Sequence, residues 1–122
     1  MKLTMMFRKS TTTIAIAAFV TLLSSLSTAV FAAGDATRGQ SLYATCGACH
    51  GANAEGMQAL NAPALAGQEE WYVVRQLQNF KKGIRGTNPQ DVYGMQMAPM
   101  AMTLPDDQAI EDVAAYINSL GQ

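Results

Sequence analysis

The stretch Cys46-Gly47-Ala48-Cys49-His50 determines how the rest of this sequence is interpreted. It holds both cysteines and the only histidine of the 122-residue chain, so any metal, disulfide or acid–base chemistry based on them lies within five positions. A Cys-x-x-Cys-His string is the attachment signature of c-type haem. Two thiols three positions apart, at the end of a helix, can form thioethers with the two vinyl groups of one porphyrin. The following imidazole can then face the iron.

Three other interpretations of this motif are weaker. A disulfide between Cys46 and Cys49 would close a very short loop and would constrain the unfolded chain little. A thioredoxin-like redox pair requires a βαβ context, and no segment of the sequence alternates like a strand. A zinc site typically has four ligands, whereas the motif offers two cysteines and one histidine. We therefore predict one haem c (iron) per chain, bound covalently through two thioethers, with His50 as an iron ligand.

The first 32 residues are predicted to be a secretory signal peptide that is removed. They contain three basic residues and no acidic one, then an apolar stretch over residues 14–26 and the small-residue site Val30-Phe31-Ala32. The alternative is an uncleaved membrane anchor, but serine and threonine interruptions leave the apolar run short of the ~20 residues that a span needs. Cleavage is expected after Ala32 or Ala33. Residues 33–122 would then form one haem domain in the periplasm, since haem is attached outside the cytoplasm.

The composition of residues 33–122 excludes some classes of function. This range has five basic side chains against nine acidic ones, a formal charge of −4. A mildly acidic domain argues against nucleic-acid binding, which requires a basic patch or stripe. The net charge favours, weakly, a protein partner with a basic docking face.

Helical patterns predict an all-α domain with three main helices. The first runs from Asp35 to about Cys46, the second from Gln68 to Lys82, and the third from near Pro105 through an apolar stripe. Residues 51–67 and 84–104 show no period, so long loops are predicted there. Loops of about twenty residues are unusual in so small a domain, and a haem would give them something to wrap around. The predicted apolar faces of the second and third helices consist of Val73, Leu77, Phe80, Ile110, Val113, Ala114, Ile117 and Leu120.

The sixth iron ligand follows in part by elimination. Without a second histidine, two imidazoles of this chain cannot bind one iron, whereas Met/His ligation is an electron-transfer pattern with a raised potential. Four methionines crowd the segment before the last predicted helix. Met102 lies close to that helix and Met95 lies in a polar part of the segment, so Met97 and Met100 remain as candidates. Methionine also fills gaps in cores, and the residues alone leave the choice between these two open.

The order of these motifs resembles a class I cytochrome c over residues 34–120. It is most similar to a single haem domain of the di-haem bacterial periplasmic cytochromes c, which carry two such domains in tandem. The matching stretches are Cys46-Gly47-Ala48-Cys49-His50-Gly51, Pro63-Ala64-Leu65-Ala66-Gly67-Gln68, Tyr72 with Gln76-Leu77, Met97-Ala98-Pro99-Met100-Ala101 and Val113-Ala114-Ala115-Tyr116-Ile117.

The resemblance implies roles for particular residues. Cys46 and Cys49 would hold the haem and His50 would be the proximal ligand, with the Pro63 carbonyl bound to the other imidazole nitrogen. In the resembling domains the sixth ligand lies seven residues before the leucine that precedes the last helix. Counting from Leu104 gives Met97, with Met100 as a packing residue.

The resemblance also implies a small class I cytochrome c fold, with loops wrapped around one covalent haem. Gly39, Tyr43 and Tyr116 would form a close crossing of the first and last helices.

The function implied by the resemblance is one-electron transport in the periplasm. The expected partners are membrane and periplasmic redox proteins, such as those of a respiratory chain, and the haem attachment machinery. We expect no catalytic residue, no small-molecule substrate and no nucleic acid. The resembling proteins are twice as long, so here one haem and no transfer within the chain are expected. The alternatives are a haem enzyme or gas sensor with an open sixth site, and a fixed electron-transfer subunit of a larger complex.

Overall fold

The computed structural model describes residues 33–122, and the predicted signal peptide lies outside the described residues. Within this range the chain is helical and has no strand, which confirms the predicted all-α class. None of the described helices is long and apolar enough to cross a membrane. The elements are α1 (Ala36–His50), a 3-10 turn (Gln58–Leu60), α2 (Glu70–Lys81), α3 (Val92–Ala101) and α4 (Asp107–Ser119).

Helix α1 carries the whole Cys-x-x-Cys-His motif. Its first turn is capped by the Asp35 carboxylate, which accepts hydrogen bonds from the amides of Thr37 and Arg38. The helix was predicted to end near Cys46, but it continues for one more turn to His50, with Gly51 as its C-cap. Gly51 has a φ of 85°, a conformation that glycine adopts without steric cost. The motif therefore lies in the last, rigid turn of a helix.

Helices α1 and α4 cross in close contact, as the resemblance implied. A Cβ on Gly39 would collide with the backbone carbonyl of Asp112 and lie 2.9 Å from the Cβ of Tyr116. Beside this contact the rings of Tyr43 and Tyr116 pack with their centroids 5.3 Å apart. The backbones approach this closely because one of the two helices has no side chain at the contact.

Gly39→Ala is expected to destabilise the fold strongly. The added methyl group cannot be accommodated without separating α1 from α4, and such overpacking costs about 3 kcal/mol of unfolding free energy. Gly47→Ala is the matched control on the same helix, because its Cβ would meet Tyr43 at an ordinary 3.4 Å. Chemical denaturation of both variants checks this. Equal stability of the two variants would contradict the close crossing.

Helix α4 forms the centre of the core. Ile110, Val113 and Ile117 are almost completely buried, because α4 packs against both α1 and α2. The predicted apolar face of α2 is confirmed, since Val73, Leu77 and Phe80 are all buried. The start of α4 differs slightly from the expectation. Pro105 lies outside the helix, and the Asp106 carboxylate caps it by accepting from the Ala109 amide.

The segment 84–104, predicted to be a loop, contains helix α3. The Asp91 carboxylate caps this helix by accepting a hydrogen bond from the Gly94 amide, 2.9 Å away. The prediction was wrong here for two physical reasons. The buried positions of α3 are Gly94 and Ala101, which give no apolar stripe, and Pro99 lies inside the helix. Four α-helices therefore replace the expected three, and the methionine segment is largely helical.

A buried carboxylate fastens the start of α1 to α4. The Asp112 side chain is only 3% exposed. Its Oδ1 accepts hydrogen bonds from the Asp35 amide at 2.8 Å, Arg38 Nη2 at 2.9 Å and Gln108 Nε2 at 3.1 Å. Burial by itself would raise the pKa of Asp112, but these hydrogen bonds and the Arg38 charge outweigh burial and lower it. The charged form is thus the one that the fold stabilises.

Asp112→Asn is expected to lower the unfolding free energy by about 1–3 kcal/mol at pH 7, the usual worth of hydrogen bonds to a charged group. Because the folded pKa is lowered, this stabilisation is complete above the unfolded value of ~3.9 and is lost as pH falls through the folded pKa. The variant should therefore lose less stability than the parent between about pH 4 and pH 2. Asp107→Asn, at an exposed position of the same helix, is the control. Parallel acid titrations of parent and Asp112→Asn would contradict this role.

Candidate haem-binding site

The last turn of α1 presents the three motif side chains in different environments. Cys46 is half-buried against the core, Cys49 is exposed and His50 is buried. Both thiols are free. Burial raises the pKa of the Cys46 thiol, so the neutral form is favoured there. Both sulfur atoms are thus available on the final turn of one helix, and the imidazole follows immediately.

His50 is held in a defined orientation by the loop that follows α1. Its Nδ1 lies 2.8 Å from the carbonyl oxygen of Pro63, so the Nδ1–H form can donate a hydrogen bond there. The contact that the resemblance implied is therefore present. A donating Nδ1 leaves the lone pair on Nε2 for a metal ion. Nε2 forms no hydrogen bond with any residue from 33 to 122. Every fully buried side-chain nitrogen in this range has a hydrogen-bond partner, so Nε2 is not fully buried. The nitrogen that would bind iron is therefore accessible.

The loop over residues 51–67 folds back on the end of α1 and so positions Pro63. The Gly56 amide donates to the His50 carbonyl at 2.7 Å, and a Cβ on Gly56 would lie 2.8 Å from the carbonyl carbon of Pro63. Further along, the Leu65 amide donates to the carbonyl of Ala54, which is completely buried. The hydrogen-bond acceptor for His50 is therefore fixed by backbone contacts on both sides of it.

Tyr43 supports the same end of α1. Its hydroxyl donates to the Gly51 carbonyl at 2.9 Å, directly after the motif. Burial, together with smaller contributions from neighbouring groups, raises the pKa of Tyr43 to about 12. The hydroxyl therefore stays protonated at physiological pH and can keep donating this hydrogen bond.

The structure separates the methionines that the sequence left as candidates. Met97 is half-buried, packs against the hydrophobic core and lies near His50. Met100 is 38% exposed, and Met95 and Met102 are about half exposed. Met102 follows α3 and caps its end, and is not drawn into the last helix. Met97 as the sixth ligand stays a prediction, and its partial burial near His50 distinguishes it from its neighbours.

The donor set fits a c-type haem. Two free thiols three residues apart, an oriented imidazole with an accessible Nε2 and a nearby thioether are the groups that covalent attachment and Met/His ligation require. Cys46 and Met97 are also partly buried against the hydrophobic core, as are Leu42, Leu65 and Ala98. Within residues 33–122, no group of three or more His, Cys, Asp or Glu side chains is placed to hold a metal ion.

Sequence reasoning missed the contacts that hold the methionine segment in place. The Lys81 ammonium, at the end of α2, donates to the carbonyl of Leu104, which lies between α3 and α4. In addition, a Cβ on Gly86 would lie 2.7 Å from the Cβ of Ala98, so the turn after α2 packs directly on α3. Gly86 and Asp91 are visible in the sequence and are typical of a turn and a helix cap. The residues that they contact cannot be predicted from the local sequence.

Several known proteins are similar to this chain in sequence. The sequence model described as "Cytochrome c" matches residues 36–121. The chain is 45% identical over 89 residues to cytochrome c4 of Stutzerimonas stutzeri, covering 72% of this chain and 42% of that protein. It is 38% identical over 88 residues to cytochrome c-554(548) of Halomonas halodenitrificans, covering 71% of this chain and 98% of that protein.

A solved structure shows the same fold. The crystal structure of reduced recombinant cytochrome c4 from Pseudomonas stutzeri matches with a TM-score of 0.56 at 43% identity, over 71% of this chain and 46% of that chain. The chain therefore spans less than half the length of these two cytochrome c4 proteins, and its matched part corresponds to nearly all of cytochrome c-554(548).

Proposed function

The chain belongs to the cytochrome c family, and on this premise we propose that it carries single electrons between redox proteins of the periplasm. The family and the motif identify the cofactor as haem c, bound covalently through Cys46 and Cys49. When bound, the haem iron supplies the change between the ferrous and ferric states. The proposal includes one haem in this chain, with His50 and Met97 as its axial ligands.

The observation that supports this proposal best is the orientation of His50. The imidazole is buried at the end of α1, its Nδ1 is directed to the Pro63 carbonyl and Met97 lies nearby. Such a hydrogen bond fixes the tautomer and ring orientation of a ligating histidine and raises its basicity. A histidine that only filled the core would have no need of an accessible Nε2.

The remaining residues contribute rigidity and low polarity. Pro63 is held by the backbone of its loop, and α3 is held by the turn after α2, so backbone contacts fix the two segments that would position the iron ligands His50 and Met97. Cys46 and Met97 pack against the apolar core, and an apolar shell helps to set the potential of a metal centre. A carrier needs these features and needs no general base or substrate pocket. We therefore propose that the chain is not itself an enzyme.

The partners follow from this function. A carrier accepts an electron from one membrane or periplasmic redox protein and gives it to another, as in a respiratory chain. Its maturation requires the haem attachment machinery, which acts outside the cytoplasm. Residues 1–32, as a cleaved signal peptide, would export the chain to that compartment.

Carbon monoxide binding by the reduced protein tests the proposal against a gas sensor or haem enzyme. A six-coordinate carrier is expected to show almost no change in its visible spectrum when carbon monoxide is added, because both axial positions are occupied. A redox titration of the same sample should fit a single one-electron step. Rapid and complete carbon monoxide binding would indicate an open sixth position and would overturn the proposed electron-carrier function. Gel filtration of a periplasmic extract distinguishes a free carrier from a fixed subunit.

A further inference from the structure

The positive charge of residues 33–122 is concentrated in one short segment. Three of the five basic residues are Lys81, Lys82 and Arg85, and no acidic residue occurs between Glu70 and Asp91. The acidic side chains lie elsewhere, and several gather around Glu111. Burial and the charges of Glu70, Asp107 and Asp112 raise the pKa of that carboxyl. The formal charge of −4 therefore hides a locally positive site.

The turn over residues 82–86, which we call the basic turn, is held by backbone hydrogen bonds and has an exposed apolar centre. The amides of Ile84 and Arg85 both donate to the Asn79 carbonyl, at 2.9 Å and 3.1 Å, and Gly83 and Gly86 adopt φ values of 68° and 74°. Ile84 is 68% exposed and lies between two cations. The Arg85 guanidinium stacks 4.4 Å from the Phe80 ring centroid and donates to the side-chain oxygen of Gln76 at 2.8 Å. Because this side chain is already ordered, binding through it costs less conformational entropy.

The Lys82 side chain remains available for a partner. It is exposed and makes no ion pair with any residue from 33 to 122. Lys81, in contrast, is engaged with the Leu104 carbonyl. An exposed apolar residue between two cations matches the common pattern of an apolar anchor with a polar, charged rim at protein interfaces.

The basic turn also packs on the helix that carries Met97. Gly86 touches the backbone carbonyl of Gly94, and a Cβ at Gly86 would lie 2.7 Å from the Cβ of Ala98. Ala98 is the residue directly after Met97. A protein seated on the basic turn would therefore lie beside the segment proposed to hold the sixth ligand.

We propose that the basic turn, through Lys82, Ile84 and Arg85, is the docking surface for a redox protein whose face carries carboxylates around an apolar centre. This inference rests on the proposed electron-carrier function and reverses the expectation from net charge, which favoured a basic partner. Local charge decides the orientation of an encounter, because charges more than a Debye length apart (~8 Å at physiological ionic strength) are largely screened. The cations of the basic turn therefore decide the charge of the partner at this contact, and they favour an acidic one.

Binding is tested first with an anion that cannot accept electrons. Hexacyanocobaltate(III), with three negative charges, is titrated into the reduced holoprotein, and backbone amide shifts are followed by NMR. The expected shifts are confined to residues 82–86 and their neighbours on α3. Lys82→Glu should abolish these shifts. The matched charge reversal Arg75→Glu should leave them, because Arg75 lies about 10 Å away along α2.

Electron exchange is tested next with hexacyanoferrate(III), the redox-active anion of the same charge. At 0.1 M ionic strength Lys82→Glu should slow oxidation of the reduced protein about fivefold, whereas Arg75→Glu should slow it less than about 1.5-fold. These values follow from Coulomb's law with a Debye length of ~10 Å. With a cationic oxidant, cobalt(III) tris-phenanthroline, Lys82→Glu should instead speed oxidation, and by more than Arg75→Glu does. At 1 M salt the variants should converge on the parent rate.

Several outcomes would overturn the inference. Equal slowing by the two charge reversals, or amide shifts beyond the basic turn and its neighbours on α3, would show that no local docking surface exists there. Lys82-dependent sedimentation with vesicles containing anionic phosphatidylglycerol would assign the turn to a membrane. A Lys82-dependent dimer in gel filtration would assign it to a second copy. Carbon monoxide binding by the reduced holoprotein would instead contradict the proposed carrier function, and the hexacyanocobaltate titration of that same holoprotein would still report on the basic turn.

Discussion

Met97→Ala is expected to abolish the weak sulfur-to-iron absorption band of the oxidised protein and to lower its reduction potential. The thioether favours ferrous iron, so its loss favours the ferric state. Axial ligands set haem potentials over a range of about 0.8 V, and a fall on the order of 0.1 V or more is expected here. Visible spectroscopy of the oxidised protein and a potentiometric titration measure the two effects.

Met100→Ala is the matched control for this prediction. Met100 lies on the same helix, three residues further on, but it is 38% exposed and is not among the residues packed against the core. Its truncation should retain the sulfur-to-iron band and change the unfolding free energy by about 1 kcal/mol or less, as for most partly exposed sites. A band that survives in Met97→Ala and disappears in Met100→Ala would exchange the roles of these two residues.

Cys49→Ala is expected to leave little folded holoprotein in the periplasm. The Cys49 side chain is exposed, so its truncation removes almost no packing, and any loss reflects attachment of the haem. A 90-residue domain buries a modest core, and a tightly bound cofactor stabilises such a fold by several kcal/mol. Haem-stained protein in periplasmic extracts should fall on the order of tenfold. Cys46→Ala should behave in the same way, with an added packing cost.

The control for the cysteine variants is Ala48→Ser, an exposed change between the two thiols. It alters the polarity of the motif without removing a sulfur atom, so normal amounts of haem-stained protein are expected. Undiminished haem-stained protein in either cysteine variant would contradict attachment through two thioethers.

The sequence was informative wherever a local signal determined a local structure. The apolar spacing of Val73, Leu77 and Phe80 predicted the buried face of α2. The motif predicted the cofactor, haem c, because its spacing is a chemical requirement and the chain contains no other cysteine or histidine. The contact between His50 and Pro63 followed from the resemblance alone, since thirteen residues separate them and no local rule joins them.

Features that depend on packing between distant segments were missed or misplaced. Helix α3 was missed because small buried residues leave no stripe and Pro99 suggests a break. The burial of the Asp112 carboxylate could not be recognised, because the apolar stripe of α4 predicts only one buried face of this helix and Asp112 lies outside that stripe. The Asp112 side is covered by α1, and its donors Asp35 and Arg38 lie more than seventy positions away. The partner of a charged buried residue is a tertiary property.

The visible spectrum of the purified protein in both redox states, followed by acid–acetone extraction, shows whether the haem is covalently bound. We expect narrow, split bands on reduction that remain with the polypeptide after extraction, because the haem is held by two thioether bonds. Haem that passes into the acetone, or a protein that shows no haem bands at all, would contradict a covalent haem at Cys46 and Cys49 and the carrier function built on it.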